Sequence, residues 1–206
     1  MKIFLDLDGT ILDIKYRYYK IYSDLLLQSG FKCLDIETYW ELKRSKTPEE
    51  MIAAKTATDK FAEHYAKNRI HLIETVEYLV LDRVFDDVHE ILEDWSVKHD
   101  LYLVTLRKNR AHLNLQLQLL DLHKYFRAIY NDELGSNRKD KLIKHKVFNS
   151  CNCVIIGDTE SDIEAGKQLG IKTIALTRGI RKRYLLEDLC PDIIISDLSQ
   201  ALIEED

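Results

Sequence analysis

Short apolar runs recur along the chain: KIFLD at 2–6, LYLVT at 101–105, CVIIG at 153–157, IKTIAL at 171–176 and DIII at 192–195, with Ala128-Ile129-Tyr130 a weaker sixth. Runs of this length bounded by turn residues predict buried strands. The first ends in acid and is broken by Gly9-Thr10. The second follows an amphipathic helical pattern with apolar positions Val84, Phe85, Val88, Ile91, Leu92 and Trp95. Further helices are expected over Asn109–Leu122, Lys139–Phe148 and Glu160–Leu169, the last ended by Gly170. The stretch LNLQLQLL also alternates with period two, but Leu and Gln are strong helix formers and β-branched residues are absent. Short apolar strands alternating with helices predict an α/β fold, a Rossmann-like parallel sheet with helices on both faces.

Residues 14–82 break that rhythm. They hold no convincing strand, and Tyr16–Gln28 and Thr58–Leu81 read as long helices, with shorter ones around Asp35–Lys43 and Pro48–Thr56. This stretch is expected to be a helical insertion, leaving a discontinuous core of 1–13 and 83–206.

Composition adds boundaries. A 206-residue chain with 46% hydrophobic and 32% charged residues is globular rather than disordered. Its net charge of -5 argues against nucleic acid or an anionic membrane as partner. No run is long enough to span a bilayer, and Met1-Lys2 lead straight into a strand, so a cytoplasmic location is expected. Four cysteines are too few for a disulfide scaffold. Cys151 and Cys153 are expected to share one face of a strand as small buried hydrophobes rather than as a redox or metal pair.

The chemistry lies at the strand ends. The first run ends in Asp6-Leu7-Asp8-Gly9-Thr10, the second in Thr105, the third in Gly157-Asp158-Thr159-Glu160-Ser161-Asp162. Open α/β sheets bind ligands outside the carboxyl ends of their strands, so these groups should share one edge. Gly9 allows a sharp turn beside a ligand. Clustered carboxylates either share protons or hold a cation, and an all-oxygen set without His or Cys selects a hard ion such as Mg²⁺. The plainer reading of Asp162 is that it caps the following helix.

The series D-L-D-G-T, strand-terminal Thr, Lys, G-D-T-E-S-D resembles the haloacid dehalogenase superfamily, in its phosphoglycolate phosphatase and β-phosphoglucomutase branches, over the whole chain. The insertion resembles that family's helical cap. The resemblance implies that Asp6 is a nucleophile forming an aspartyl-phosphate. Asp8 is then the general acid/base and lends its backbone carbonyl to Mg²⁺. Asp6 and Asp158 are metal carboxylates, with Asp162 and Gly9 in support. Thr105 is implied to bind the transferring phosphoryl group. The family's lysine is Lys139 or Lys141, with Lys139 the better fit to the distance from Asp158. Asp8 sets the chain apart from carbon–halogen cleavage, because halide leaves without a proton whereas an ester oxygen needs one.

The implied activity is hydrolysis of a small phosphorylated metabolite by a monomer or homodimer. A sugar-phosphate mutase would use the same acids. A phospho-accepting signalling module and a silent scaffold are rivals of other classes, opposed by the motif order and the intact acids. Lys43-Arg44-Ser45-Lys46 resembles the cap's specificity loop, so Arg44 and Lys46 are candidate contacts for a second anionic group; a solvated basic turn is the alternative. Arg107 follows Thr105 and is a further candidate for binding substrate. Arg178 and Arg181-Lys182-Arg183 read as solvated surface, or as a field attracting anions. Tyr16, Tyr18, Tyr19 and Tyr22 read mostly as packing.

Overall fold

The computed structural model describes residues 1–147 and 152–201. The expectations for Cys151 and for the helical end at Phe148 fall outside these residues. The chain divides into two compact units, a helical one of Ile14–Arg83 and a core of Met1–Asp13 with Val84–Asp206. No helix among the described residues is long and apolar enough to cross a membrane.

The helical unit contains α1 (Lys15–Gln28), α2 (Ile36–Arg44), α3 (Glu49–Ala53), α4 (Asp59–Leu72) and α5 (Val76–Leu79). Asp35 and Thr58 cap α2 and α4 by accepting the amides of Thr38 and Phe61. Its interior is built on buried tyrosines. Tyr22 stacks on Tyr39 at 4.6 Å between centroids and meets Tyr65 edge-on at 6.0 Å. Of the tyrosines opening the insertion, Tyr22 is wholly buried and Tyr16 is half exposed.

The long helix expected over Thr58–Leu81 is two helices. The chain turns after Leu72, whose carbonyl accepts the Thr75 hydroxyl at 3.0 Å, and the Ile73 carbonyl accepts Arg17 Nη1 at 3.1 Å. Side chains thus satisfy carbonyls that a continuing helix would have used. Arg17 is itself buried, with its Nε 3.1 Å from Asp82 Oδ1.

The core carries β1 (Lys2–Leu5), a short pair β2 (Leu12–Asp13) and β3 (Arg83–Val84), then β4 (Asp100–Thr105), β5 (Ala128–Asn131), β6 (Cys153–Gly157), β7 (Lys172–Leu176) and β8 (Ile193–Ile195). Its helices are α6 (Val88–Lys98), α7 (Arg110–Leu119), α8 (Lys139–Ile143), α9 (Glu160–Leu169) and α10 (Arg183–Glu187). Val84 and Phe85, read as helical, precede α6, and Val84 is in β3. Six strands form one parallel sheet in the order β5-β4-β1-β6-β7-β8. The expected Rossmann-like architecture is present, and LNLQLQLL is helical, with Asn109 capping α7 through the His112 amide.

Alternation along β1 puts Phe4 on one face and Ile3 and Leu5 on the other, all fully buried. Phe4 joins Tyr102, Val104, Cys153 and Ile155 beneath Ile143 of α8 and Ala165 of α9. Each fully buried aliphatic or aromatic side chain here contributes about 1.5–3 kcal/mol. With β1 central and flanked by β4 and β6, successive connections run to opposite sides of it. The crevice beyond its carboxyl end is therefore where side chains from three strands can meet.

Candidate active site

Register decides which residues arrive there. Leu5 is level with Leu103 of β4 and Ile156 of β6, so Asp6, Thr105 and Asp158 leave three adjacent strands at the same edge. The Asp6 amide donates to the Ile156 carbonyl at 3.0 Å, extending the pairing up to the acid. The chain then turns tightly, with the Ile11 and Leu12 amides donating to the Leu7 carbonyl. Gly9 sits in this turn at φ +88, and a Cβ there would lie 2.2 Å from Asp158 Oδ2. Gly is required by both the backbone and the close approach.

Asp6, Asp158 and Asp162 are buried, and each offers a carboxylate oxygen within 4.8 Å of the others'. Lys139, also buried, lies 2.6 Å from Asp6 Oδ1 and 2.5 Å from Asp162 Oδ1. Lys141 is exposed, so Lys139 is the lysine that the fold delivers to the acids. Asp162 does cap α9, as the plain reading had it: its Oδ2 accepts the Thr159 amide at 3.1 Å and hydroxyl at 2.7 Å. Its other oxygen holds Lys139, so one carboxylate both caps the helix and pairs with the buried lysine. Asp158 accepts the Ile180 amide at 2.5 Å and the Thr10 hydroxyl at 3.3 Å.

Three buried acids against one lysine leave an excess of negative charge. Burial pushes Asp6 up to about 7; Lys139 pulls the other way, while Asp162 and Asp8 push it further up. Burial, then the charges of Asp6 and Asp162, hold Asp158 well above the usual carboxylate range. Lys139 is raised: burial disfavours its charge, but Asp162 and Asp6 outweigh that. An all-oxygen donor set whose carboxyls resist ionisation together is suited to a hard divalent cation.

Thr105 is buried and its hydroxyl oxygen accepts the Arg107 amide at 3.3 Å. With that lone pair taken by an amide, the hydroxyl proton remains to donate elsewhere. Asp8 has a cation of its own: its carboxylate is gripped by Arg107, Nε to Oδ2 at 2.8 Å and Nη2 to Oδ1 at 2.5 Å. Arg107 is buried rather than standing open at the rim. Arg44 and Lys46 belong to the helical unit, with Lys46 exposed at φ 63. Two of the other arginines are tied down. Arg178 donates to Asp87 Oδ1 at 2.6 Å and the Thr10 carbonyl at 2.7 Å, and lies over Phe85. Arg181 Nε donates to both Glu160 oxygens at 2.9 Å.

Several contributors were not singled out from sequence. Gly179 lets the turn after β7 approach Asp158, since a Cβ there would lie 2.0 Å from Oδ2. A glycine soon after a strand was its visible signal. Asp132 is buried after β5 and accepts the Ser136 and Asn137 amides at 2.8 and 2.6 Å, shaping the loop that leads to Lys139. Gln116 carried no local signal, and Thr10 was read only as part of the turn after the first strand.

Residues 3–176 match the haloacid dehalogenase-like hydrolase family. The chain is 28% identical to the phosphoglycolate phosphatase of Aquifex aeolicus, over 94% of this chain and 91% of that protein. It is 22% identical to the phosphoglycolate phosphatase of Synechococcus elongatus, over 98% and 97%. A haloacid dehalogenase-like hydrolase from Streptococcus pneumoniae superimposes with a TM-score of 0.74 at 22% identity, covering 94% of this chain and 92% of that one.

Proposed function

This chain belongs to the haloacid dehalogenase-like hydrolase family and is a phosphatase, and we propose that it uses Mg²⁺ and hydrolyses a small phosphomonoester through an aspartyl-phosphate on Asp6. The observation that carries this reading is the buried Asp6 carboxylate, 2.6 Å from Lys139 and clustered with Asp158 at adjacent strand ends.

The steps balance as follows. Asp6 attacks phosphorus as the ester P–O bond breaks, and Asp8 passes its proton to the departing oxygen, which leaves as an alcohol. Asp8, now ionised, takes a proton from water as the water oxygen attacks phosphorus and the Asp6–phosphoryl bond breaks. Inorganic phosphate and free Asp6 result. The Thr105 hydroxyl donates to a phosphoryl oxygen, and Lys139 offsets charge on Asp6 and the incoming anion. Asp6, Asp158 and the Asp8 carbonyl would hold Mg²⁺, whose charge offsets repulsion between a carboxylate nucleophile and a phosphate. Asp162 holds Lys139 in place.

The relatives' names make phosphoglycolate the first substrate to test. Asp6→Asn should lower phosphate release by on the order of 10³-fold or more with the fold intact. EDTA should stop turnover and Mg²⁺ restore it. Retained activity in the variant would remove Asp6 as nucleophile. Sugar phosphate isomerised without phosphate release would replace hydrolysis by a mutase reaction.

A further inference from the structure

We propose that Arg107 is a positioning residue for Asp8, fixing the carboxylate whose proton transfer makes leaving-group departure possible. The inference rests on the reading of Asp8 as the acid/base and adds the residue that holds it.

Asp8 lies in the turn after β1, and its backbone does not by itself restrict where the carboxylate points. Arg107 leaves the neighbouring strand two residues past Thr105. Its Nε and Nη2 meet the two Asp8 oxygens at 2.8 and 2.5 Å, a fork that constrains both position and plane. The guanidinium is anchored in turn. Nη1 donates to Gln116 Oε1 from α7, and both Arg107 and Gln116 are about 4% exposed. The Arg107 backbone is held as well: its amide donates to Thr105 and its carbonyl accepts the Asp132 amide at 2.9 Å. A buried arginine fixed at both ends is poorly placed to reach out to substrate and well placed to orient what it grips. Each carboxylate oxygen has a second lone pair outside the fork, so the gripped group can still exchange a proton.

Positioning has a signature that general loosening lacks. Proton donation matters most for a poor leaving group, such as the alkoxide of an alkyl phosphate, and least for p-nitrophenolate. kcat/KM reports the steps up to alcohol departure. Arg107→Met should lower kcat/KM for phosphoglycolate about 100-fold, the scale of a misplaced catalytic group. It should lower the value for p-nitrophenyl phosphate no more than several-fold. Arg107→Lys, which cannot form the fork, should recover part of the phosphoglycolate loss. Gln116→Met, which frees one end of the arginine, should show the same bias on a smaller scale, and it serves if Arg107→Met does not fold. Asp8→Asn is run beside them. If Asp8→Asn is selective for the alkyl ester but the Arg107 and Gln116 variants slow both substrates equally, or neither, the positioning role is overturned alone. If Asp8→Asn itself shows no selectivity, the acid/base reading falls and this inference with it.

Discussion

Both units bury charged groups, and they do so with opposite balance. In the helical unit Glu49 is met by Lys43 Nζ at 2.5 Å, Arg69 Nε at 3.1 Å and the Tyr65 hydroxyl at 2.8 Å. Burial alone would raise Glu49, but Lys43 and Arg69 outweigh it and its carboxyl sits below the usual value. In the core, three acids share Lys139, and Asp6 and Asp158 are raised. Burial is common to both places, so it does not distinguish one network from the other. The sign of the uncompensated charge does: around Glu49 two cations meet one carboxylate, whereas in the core three acids lie around one lysine.

The largest expected effect breaks the cation-rich side. Glu49→Gln leaves Lys43 and Arg69 without their carboxylate and should cost about 3 kcal/mol in urea unfolding. Mg²⁺ affinity should be unchanged. A variant as stable as the parent would show that Glu49 is not the centre of that network.

Asp158→Asn tests the deficient side. Removing one of three crowded charges should cost little without metal, because repulsion is relieved as hydrogen bonds are perturbed. At Mg²⁺ a hundredfold above its dissociation constant, the parent should gain about 2.7 kcal/mol and the variant should lose most of that gain. Equal gains in both would move the ion away from Asp158.

A pH series sharpens the contrast further. Asp6 is raised from an ordinary value of 3.8 to about 7. Between those values the native state binds more protons than the unfolded state, so this contribution to stability falls as pH rises. One such proton gives a slope of at most about 1.4 kcal/mol per pH unit. Glu49 is lowered, so its contribution is present above its ordinary value of 4.5 and is lost as pH falls through the folded value. Melts in EDTA from pH 4.5 to 7.5 should therefore decline relative to the same melts in saturating Mg²⁺. Parallel series would contradict the raised carboxyls.

The same division explains what the sequence made legible. The strand-end acids could be read because apolar runs end abruptly at them, and a glycine turn or helix start follows at once. The centre of the sheet was readable for the same reason: β1, β4 and β6 are largely apolar and buried on both faces. Lys139 was preferred to Lys141 on its distance from Asp158, and its burial against Asp6 and Asp162 separates it from the exposed Lys141. Arg107 looked like a rim cation because its partners, Asp8 99 residues upstream and Gln116 on the following helix, have nothing local to mark the pairing. The break after Leu72 was hidden similarly, since Arg17, which takes the Ile73 carbonyl, lies 56 residues upstream. Local chemistry at strand ends shows in one dimension; pairings between distant polar residues do not.

The smallest effect concerns the helical unit's cations. Lys43 pairs with Glu49, and Lys46 is exposed in the turn after α2. A role for Lys46 in selecting a second anionic group should appear in KM rather than kcat, because such a contact acts alike on bound substrate and transition state. Lys46→Asn suits the left-handed backbone at that position. An exposed charge contributes up to about 1 kcal/mol, so KM for phosphoglycolate should rise about fivefold while that for p-nitrophenyl phosphate, which has no second anion, holds still. Lys60→Asn, an exposed lysine of α4, is the control for field effects. If the two variants raise KM equally, or if Lys46→Asn affects both substrates alike, the lysine contributes only to the general potential and the choice of substrate is made by other residues.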